Sequence, residues 1–174
     1  MEIFDLYTAE RERTGKTIPR GEPIPAGYYH LAVHVCIFNS EGKMLIQQRQ
    51  PFKAGWSGMW DVSVGGSAVA GDTSTSAAHR ETLEELGADI SFENARPVIT
   101  IHYDEGFDDI YTVHADLDID KLTLQPEEVK TVKWATADEI IAMIDEGIFI
   151  PYHKEIIRLL FFMRNQRGTF TKNE

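Results

Sequence analysis

Residues 65–88 read GGSAVAGDTSTSAAHRETLEELGA, and the chain is organised around them. Gly65-Gly66 close an apolar, strand-like run, Trp60-Asp61-Val62-Ser63-Val64, and predict a tight turn with exposed backbone. Asp72, Thr73 and Ser74 are candidate N-caps for a helix that runs to Leu86. Gly87 stands where a left-handed residue would end that helix. At helical spacing Glu81, Glu84 and Glu85 share one face, and His79, Leu83 and Leu86, with Ser76, lie on the other as a narrow apolar stripe.

Local energetics oppose this arrangement. Like charges three and four residues apart repel, and Glu84 and Glu85 sit at the negative end of the helix dipole. A bound divalent cation reverses the sign, because hard oxygen ligands on one face suit Mg²⁺ or Mn²⁺. The bland alternative is a solvated acidic face on an acidic protein. Arg80 and the flanking glycines speak against it, since an arginine can pair with a neighbouring carboxylate and fix its rotamer.

The segment resembles the Nudix box, G-x5-E-x7-R-E-U-x-E-E-x-G-U, where U is a bulky aliphatic residue. The pattern falls without insertion on Gly66, Asp72, Arg80, Glu81, Thr82, Glu84, Glu85, Gly87 and Ala88. Asp72, Thr82 and Ala88 depart from it, and the R-E-x-x-E-E-x-G core is intact. The resemblance implies that Glu81, Glu84 and Glu85 bind metal, with the Gly65 carbonyl as a further ligand. It also implies that Glu81 is the first candidate for general base, a role that varies among Nudix enzymes, and that Arg80 orients the carboxylates. It implies an α/β/α sandwich around a mixed sheet, and Mg²⁺- or Mn²⁺-dependent hydrolysis of a diphosphate linkage, typically in a nucleoside diphosphate derivative. The catalytic set so implied is Glu81, Arg80 and Glu84.

The remaining chain is read as scaffold and pocket. With 174 residues the expectation is one domain, with residues 1–27 as an N-terminal hairpin and linker. The hairpin is expected from residues 2–7, a turn at 13–16 and a return over 17–19. Residues 28–38, YYHLAVHVCIF, give the strongest strand pattern: Leu31, Val33, Val35 and Ile37 on one face, His30, Ala32, His34, Cys36 and Phe38 on the other. His30 and His34 are about 13 Å apart along a strand, too far to share one metal, and are expected as hydrogen-bonded sheet histidines. A second strand is expected over 44–49, then strands over 97–103 and 110–117 flanking an acidic loop at 104–109.

Four stretches supply candidates for substrate contact. Arg49 ends a strand before the loop 50–59 and could clamp phosphate. Trp60, with Trp56, could stack on a base or pack in the core. Asp104 opens the acidic loop, a candidate second metal site or a solvated turn. Glu127 and Glu128 are candidates for the late-loop glutamate that many Nudix hydrolases use, whereas Lys133 stands where some relatives place a catalytic glutamate. Thr136 and Glu139 form a capping box opening a helix that Gly147 stops, and a last helix is expected over 153–167. Its wide apolar face could pack on the sheet or form a homodimer contact. Residues 168–174 are expected to fray.

Composition narrows the partners. A net charge of −11 disfavours nucleic-acid and anionic-membrane surfaces but not a small phosphorylated substrate, whose field a metal neutralises. No apolar run approaches membrane-spanning length, the first residues do not read as a signal peptide, and the single Cys36 suits a reducing cytoplasm. The N-terminal hairpin, His30 and the approach Gly58-Met59-Trp60 resemble isopentenyl-diphosphate isomerases, and the chain looks like one of the hydrolases nearest to them. Their catalytic cysteine and the histidine after it are missing from residues 60–67, which favours hydrolysis. A non-catalytic module that binds a nucleotide or diphosphate metabolite is the remaining alternative.

Overall fold

The computed structural model describes residues 2–170; residues 171–174, at the end expected to fray, lie outside it. The centre is β3 (His30–Phe38), whose alternation is the one read from the sequence. Val33, Val35 and Ile37 are fully buried, each contributing about 1.5–3 kcal/mol of burial free energy as an upper estimate. They face one core with Leu31, Ala77, Ala78 and Leu86. Cys36 and Phe38 face a second core with Ile46, Ile140, Ile157 and Leu160. A sheet therefore lies between helices: α1 (Ser74–Leu86) on one side, α2 (Ala137–Asp145) and α3 (Lys154–Met163) on the other.

The sheet is mixed. β3 pairs in parallel with β8 (Gly106–His114) and antiparallel with β6 (Val64–Ser67). β4 (Met44–Arg49) carries β5 (Trp60–Asp61) and β9 (Val129–Ala135), and β7 (Ile99–Tyr103) pairs with β8. β3 and β4 meet at a single pair, Phe38 with Met44, and then splay apart. The chain from β5 to β6 crosses this fork. There the buried Ser63 hydroxyl donates to the Leu45 carbonyl at 2.5 Å and accepts from the Ile37 N–H at 2.8 Å, replacing the missing rungs.

Several expectations are corrected. The run 60–64 is two strands rather than one, because the fork separates their partners. Gly65-Gly66 is no turn: both residues lie in β6, opposite His34 and Val33. The acidic loop shrinks to Asp104-Glu105, since β8 begins at Gly106 and takes in Asp108 and Asp109. α3 ends at Met163, short of 167.

The N-terminal hairpin forms as β1 (Ile3–Tyr7) and β2 (Arg13–Pro19), a separate two-stranded sheet. Its turn falls at residues 8–12, not 13–16. The Thr8 hydroxyl accepts from the N–H groups of Glu10 and Glu12, and the Thr8 carbonyl from that of Arg11, so local side-chain chemistry decides the turn. Phe4, Leu6 and Ile18 give the hairpin a small core with Ile24 and Tyr28. Among the described residues no helix is long and apolar enough to cross a membrane.

Candidate active site

Helix α1 is fixed at both ends. Thr73 is the N-cap and exchanges hydrogen bonds with Ser76 in a capping box, and Gly87 ends the helix at φ 65°. Its buried face differs from the expected stripe. Ala77, Ala78, Thr82 and Leu86 are buried, while Leu83 is 44% exposed and His79 turns out to Asp89. Small residues let the helix lie close on the sheet. Thr82, where the box pattern has a bulky aliphatic residue, is fully buried because its hydroxyl donates back to the Ala78 carbonyl at 2.6 Å.

Close packing explains the two glycines. A Cβ on Gly66 would stand 2.1 Å from the Glu81 carboxyl carbon, and one on Gly65 would stand 2.8 Å from the His34 ring. Glu81, Glu84 and Glu85 thus face a cleft of about 80 Å³ over the Gly65-Gly66 backbone. Glu85 is buried, and the Gln47 amide donates to it at 2.8 Å. Burial pushes the Glu85 carboxyl up to about 8 despite that hydrogen bond. Burial also raises Glu81, against the pull of Arg80.

Arg80 organises the carboxylates. It donates to Asp72 at 2.9 Å, Glu81 at 2.9 Å, Glu84 at 3.2 Å and the Ser67 carbonyl at 3.1 Å. Burial works against its charge, but Glu81 and Asp72 outweigh that and hold the guanidinium protonated. Asp72, the shortened acid of the box, also accepts from the Ser76 hydroxyl and the Val69 N–H, so it anchors Arg80. In these rotamers no three His, Cys, Asp or Glu side chains among the described residues are grouped to hold a metal ion. The Arg80 guanidinium instead takes oxygens of Glu81 and Glu84.

Of the other sequence candidates, Arg49 and Glu128 line the cleft. Arg49 donates to the Gly55 carbonyl at 3.2 Å and stands 4.0 Å from Asp61, and Glu128 pairs with Lys53 at 2.5 Å. Trp60, Asp104 and Glu127 do not line it. Trp60 packs against the second core under the Lys133 ammonium, which sits 4.6 Å from the ring centroid. Asp104 borders a different hollow with Tyr29 and His102. The strand register that shortens the acidic loop separates its carboxylates: Asp108 bonds His34 and Asp109 bonds Arg11.

Sequence reasoning missed Gln47, Gln125, Glu2 and Arg20, all at or beside the cleft. Gln47 left a faint signal as a polar residue inside an apolar strand; the rest depend on chain crossings. A second buried array was also missed. His34 Nδ1 lies 2.7 Å from Asp108, its Nε2 lies 3.2 Å from the Tyr152 hydroxyl, and that hydroxyl donates to Asp61 at 2.8 Å. Burial alone would lower His34, but Asp108 prevails and pushes it up to about 9, consistent with a ring that donates from both nitrogens. The expectation of a hydrogen-bonded sheet histidine describes it.

Known proteins match this arrangement. The NUDIX domain matches residues 28–160, which span the large sheet, the three glutamates of the cleft and all three helices except the last residues of α3. The chain belongs to the NUDIX family. A Nudix hydrolase of Listeria monocytogenes is 46% identical over 165 residues, covering 95% of this chain and 96% of the relative. A Deinococcus radiodurans protein of known crystal structure superposes with a TM-score of 0.75 at 26% identity, over 91% of this chain and 99% of that one. An isopentenyl-diphosphate Δ-isomerase of Pectobacterium atrosepticum is 28% identical over 137 residues, 75% of each chain. The 46% identity to a Nudix hydrolase over nearly its whole length groups the chain with the Nudix hydrolases, with an isomerase among its more distant relatives.

Proposed function

We propose that the chain hydrolyses a diphosphate linkage, in a nucleoside diphosphate derivative, using Mg²⁺ or Mn²⁺. The observation that carries the reading is the cleft itself. Three glutamates of one helix, two of them pushed toward neutrality by burial, face a space bordered by the Gly65-Gly66 backbone and Arg49. An all-oxygen donor set of carboxylates and a carbonyl suits a hard divalent cation, whose charge would relieve the buried glutamates. Glu81, Glu84, Glu85 and the Gly65 carbonyl would hold it, and bound there it would supply Lewis-acid stabilisation of phosphate charge.

The protein groups do the rest. Glu81 takes a proton from the attacking water as its oxygen bonds to phosphorus and the bridging P–O bond breaks. Arg80 keeps Glu81 and Glu84 in their rotamers, and Gln47 does the same for Glu85. Arg49 binds non-bridging phosphate oxygens. Isomerisation of isopentenyl diphosphate is the second reading, supported by the Pectobacterium relative. Against it, Cys36 is buried in the second core and its thiol is pushed up by burial.

The test is turnover on a panel of nucleoside diphosphate sugars, dinucleotides, nucleoside triphosphates and isopentenyl diphosphate, with Mg²⁺ or Mn²⁺. Glu84→Gln and Glu85→Gln proteins run alongside. The expected result is hydrolysis of one class, reduced by about 10²-fold or more in both variants. Tight binding without turnover sinks the reading and leaves a binding module. Rearrangement of isopentenyl diphosphate without phosphate release assigns the isomerase.

A further inference from the structure

The hairpin β1–β2 precedes the NUDIX match, which starts at residue 28, yet it reaches the glutamate cleft. The Arg20 N–H donates to the Glu2 carbonyl at 2.9 Å, one rung beyond the Ile3–Pro19 pair. That rung sets the two side chains together at the cleft, where the Arg20 guanidinium pairs with the Glu2 carboxylate. The hairpin is fastened there by the loop that leads into α1. The Ala70 N–H donates to the Ile3 carbonyl at 2.7 Å, the Gly71 N–H to Asp5 at 2.8 Å, and Arg13 to the Asp72 carbonyl. Asp72 is also the anchor of Arg80. The contacts that place the glutamates thus place Arg20.

Charge gives Arg20 its use. The side chains bordering the cleft include five carboxylates (Glu2, Glu81, Glu84, Glu85 and Glu128) and two cations, Arg20 and Arg49. Arg49 is already held by the Gly55 carbonyl and lies near Asp61. Arg20 is half exposed and, among the described residues, its guanidinium pairs with a half-exposed glutamate, the kind of pair that holds weakly in water. A phosphate offers the planar guanidinium two oxygens at once and more negative charge than Glu2 does.

We propose that Arg20 is a substrate-binding residue contributed by the N-terminal hairpin, and that an incoming phosphate displaces Glu2 from it. Together with Arg49, which borders the same cleft, it favours substrates carrying two adjacent ionised phosphates, whose charge and number of oxygens give both guanidinium groups acceptors. The inference takes its substrate class from the hydrolase reading.

Two readouts separate the failure of this inference from the failure of that reading. The first is calorimetric binding of magnesium pyrophosphate, which needs no turnover. Arg20→Ala is expected to weaken binding by about 10-fold or more, Arg20→Lys by less, and Glu2→Gln to tighten it by about 3-fold. Lys16→Ala removes a hairpin cation that does not border the cleft, and leaves binding unchanged. The second readout is steady-state kinetics on whichever panel substrate turns over: Arg20→Ala raises KM about 10-fold and changes kcat by less than about 3-fold. Thermal melting of each variant checks that the fold is intact. Binding by Arg20→Ala within about twofold of the unmutated chain overturns the inference while leaving the hydrolase reading in place. Absence of turnover in the unmutated chain, with the Arg20 effect on binding retained, removes the hydrolase reading alone. Absence of pyrophosphate binding overturns the inference.

Discussion

Glu81 lies so close to the β6 backbone that position 66 tolerates no side chain. The sequence suggested a turn as the reason for glycine, but Gly66 is extended, and the reason is close approach. Gly66→Ala would drive its methyl into the Glu81 carboxyl carbon, where 2.1 Å separates them. Glu81 must then leave its pairing with Arg80 or tilt α1. The expected outcome is a loss of about 10²-fold in kcat with the protein still folded, since small misplacements at a reacting group cost that much. Steady-state kinetics beside circular dichroism check it; an active Gly66→Ala protein would show that Glu81 does not need its position. Alanine at Gly65 meets the His34 ring instead, on the other face of the sheet.

The element that opens the cleft is the fork between β3 and β4. These strands share one pair, and the chain 60–67 fills the gap by bonding first to β4 and then to β3. Ser63 bridges the two with one hydroxyl, fully buried between the Leu45 carbonyl and the Ile37 N–H. Ser63→Ala leaves both backbone groups without that partner, so it is expected to destabilise the protein by about 1–3 kcal/mol. Urea unfolding at constant slope measures it. A change within about 0.5 kcal/mol would mean that the backbone relaxes to pair those groups directly. A serine in an apolar run carries no sequence signal for this role, because the partners come from strands 18 and 26 residues away.

Across the whole molecule, the hairpin and the sheet are joined by Arg11 and Asp109. Arg11 donates both terminal nitrogens to the Asp109 carboxylate at 2.7 and 3.0 Å, and the Thr100 hydroxyl donates at 2.6 Å. Burial would raise Asp109, but these hydrogen bonds outweigh it and hold the carboxyl below its ordinary value. A depressed carboxyl stabilises the fold above the unfolded pKa of about 3.9, and that stability is lost as pH falls through the folded value. Arg11→Ala leaves a buried carboxylate without its cation. It is expected to cost about 1–3 kcal/mol near neutral pH, discounted because Arg11 is about one-third exposed. The difference from the unmutated chain should shrink as pH falls below about 4. Denaturant titrations at a series of pH values test this; a pH-independent difference would assign the loss to packing of Arg11 on the Phe107 ring.

The sequence by itself determined the central strand, the three helices and the glutamate face, because each is written in local periodicity, caps and spacing. Leu31, Val33, Val35 and Ile37 alternate, Thr73 and Gly87 bracket α1, and Thr136 with Glu139 opens α2. It also carried the family resemblance, since the box is a contiguous run. Only the tertiary structure decided which residues meet that face. Arg49 and Glu128 arrive at the cleft while Trp60, Asp104 and Glu127 do not, and Arg20 and Glu2 arrive from a hairpin outside the family match. The physical reason is that these neighbours are set by strand register and by the β3–β4 fork. Those depend on pairings between distant segments, and a one-residue shift in a strand reverses the face on which a side chain stands.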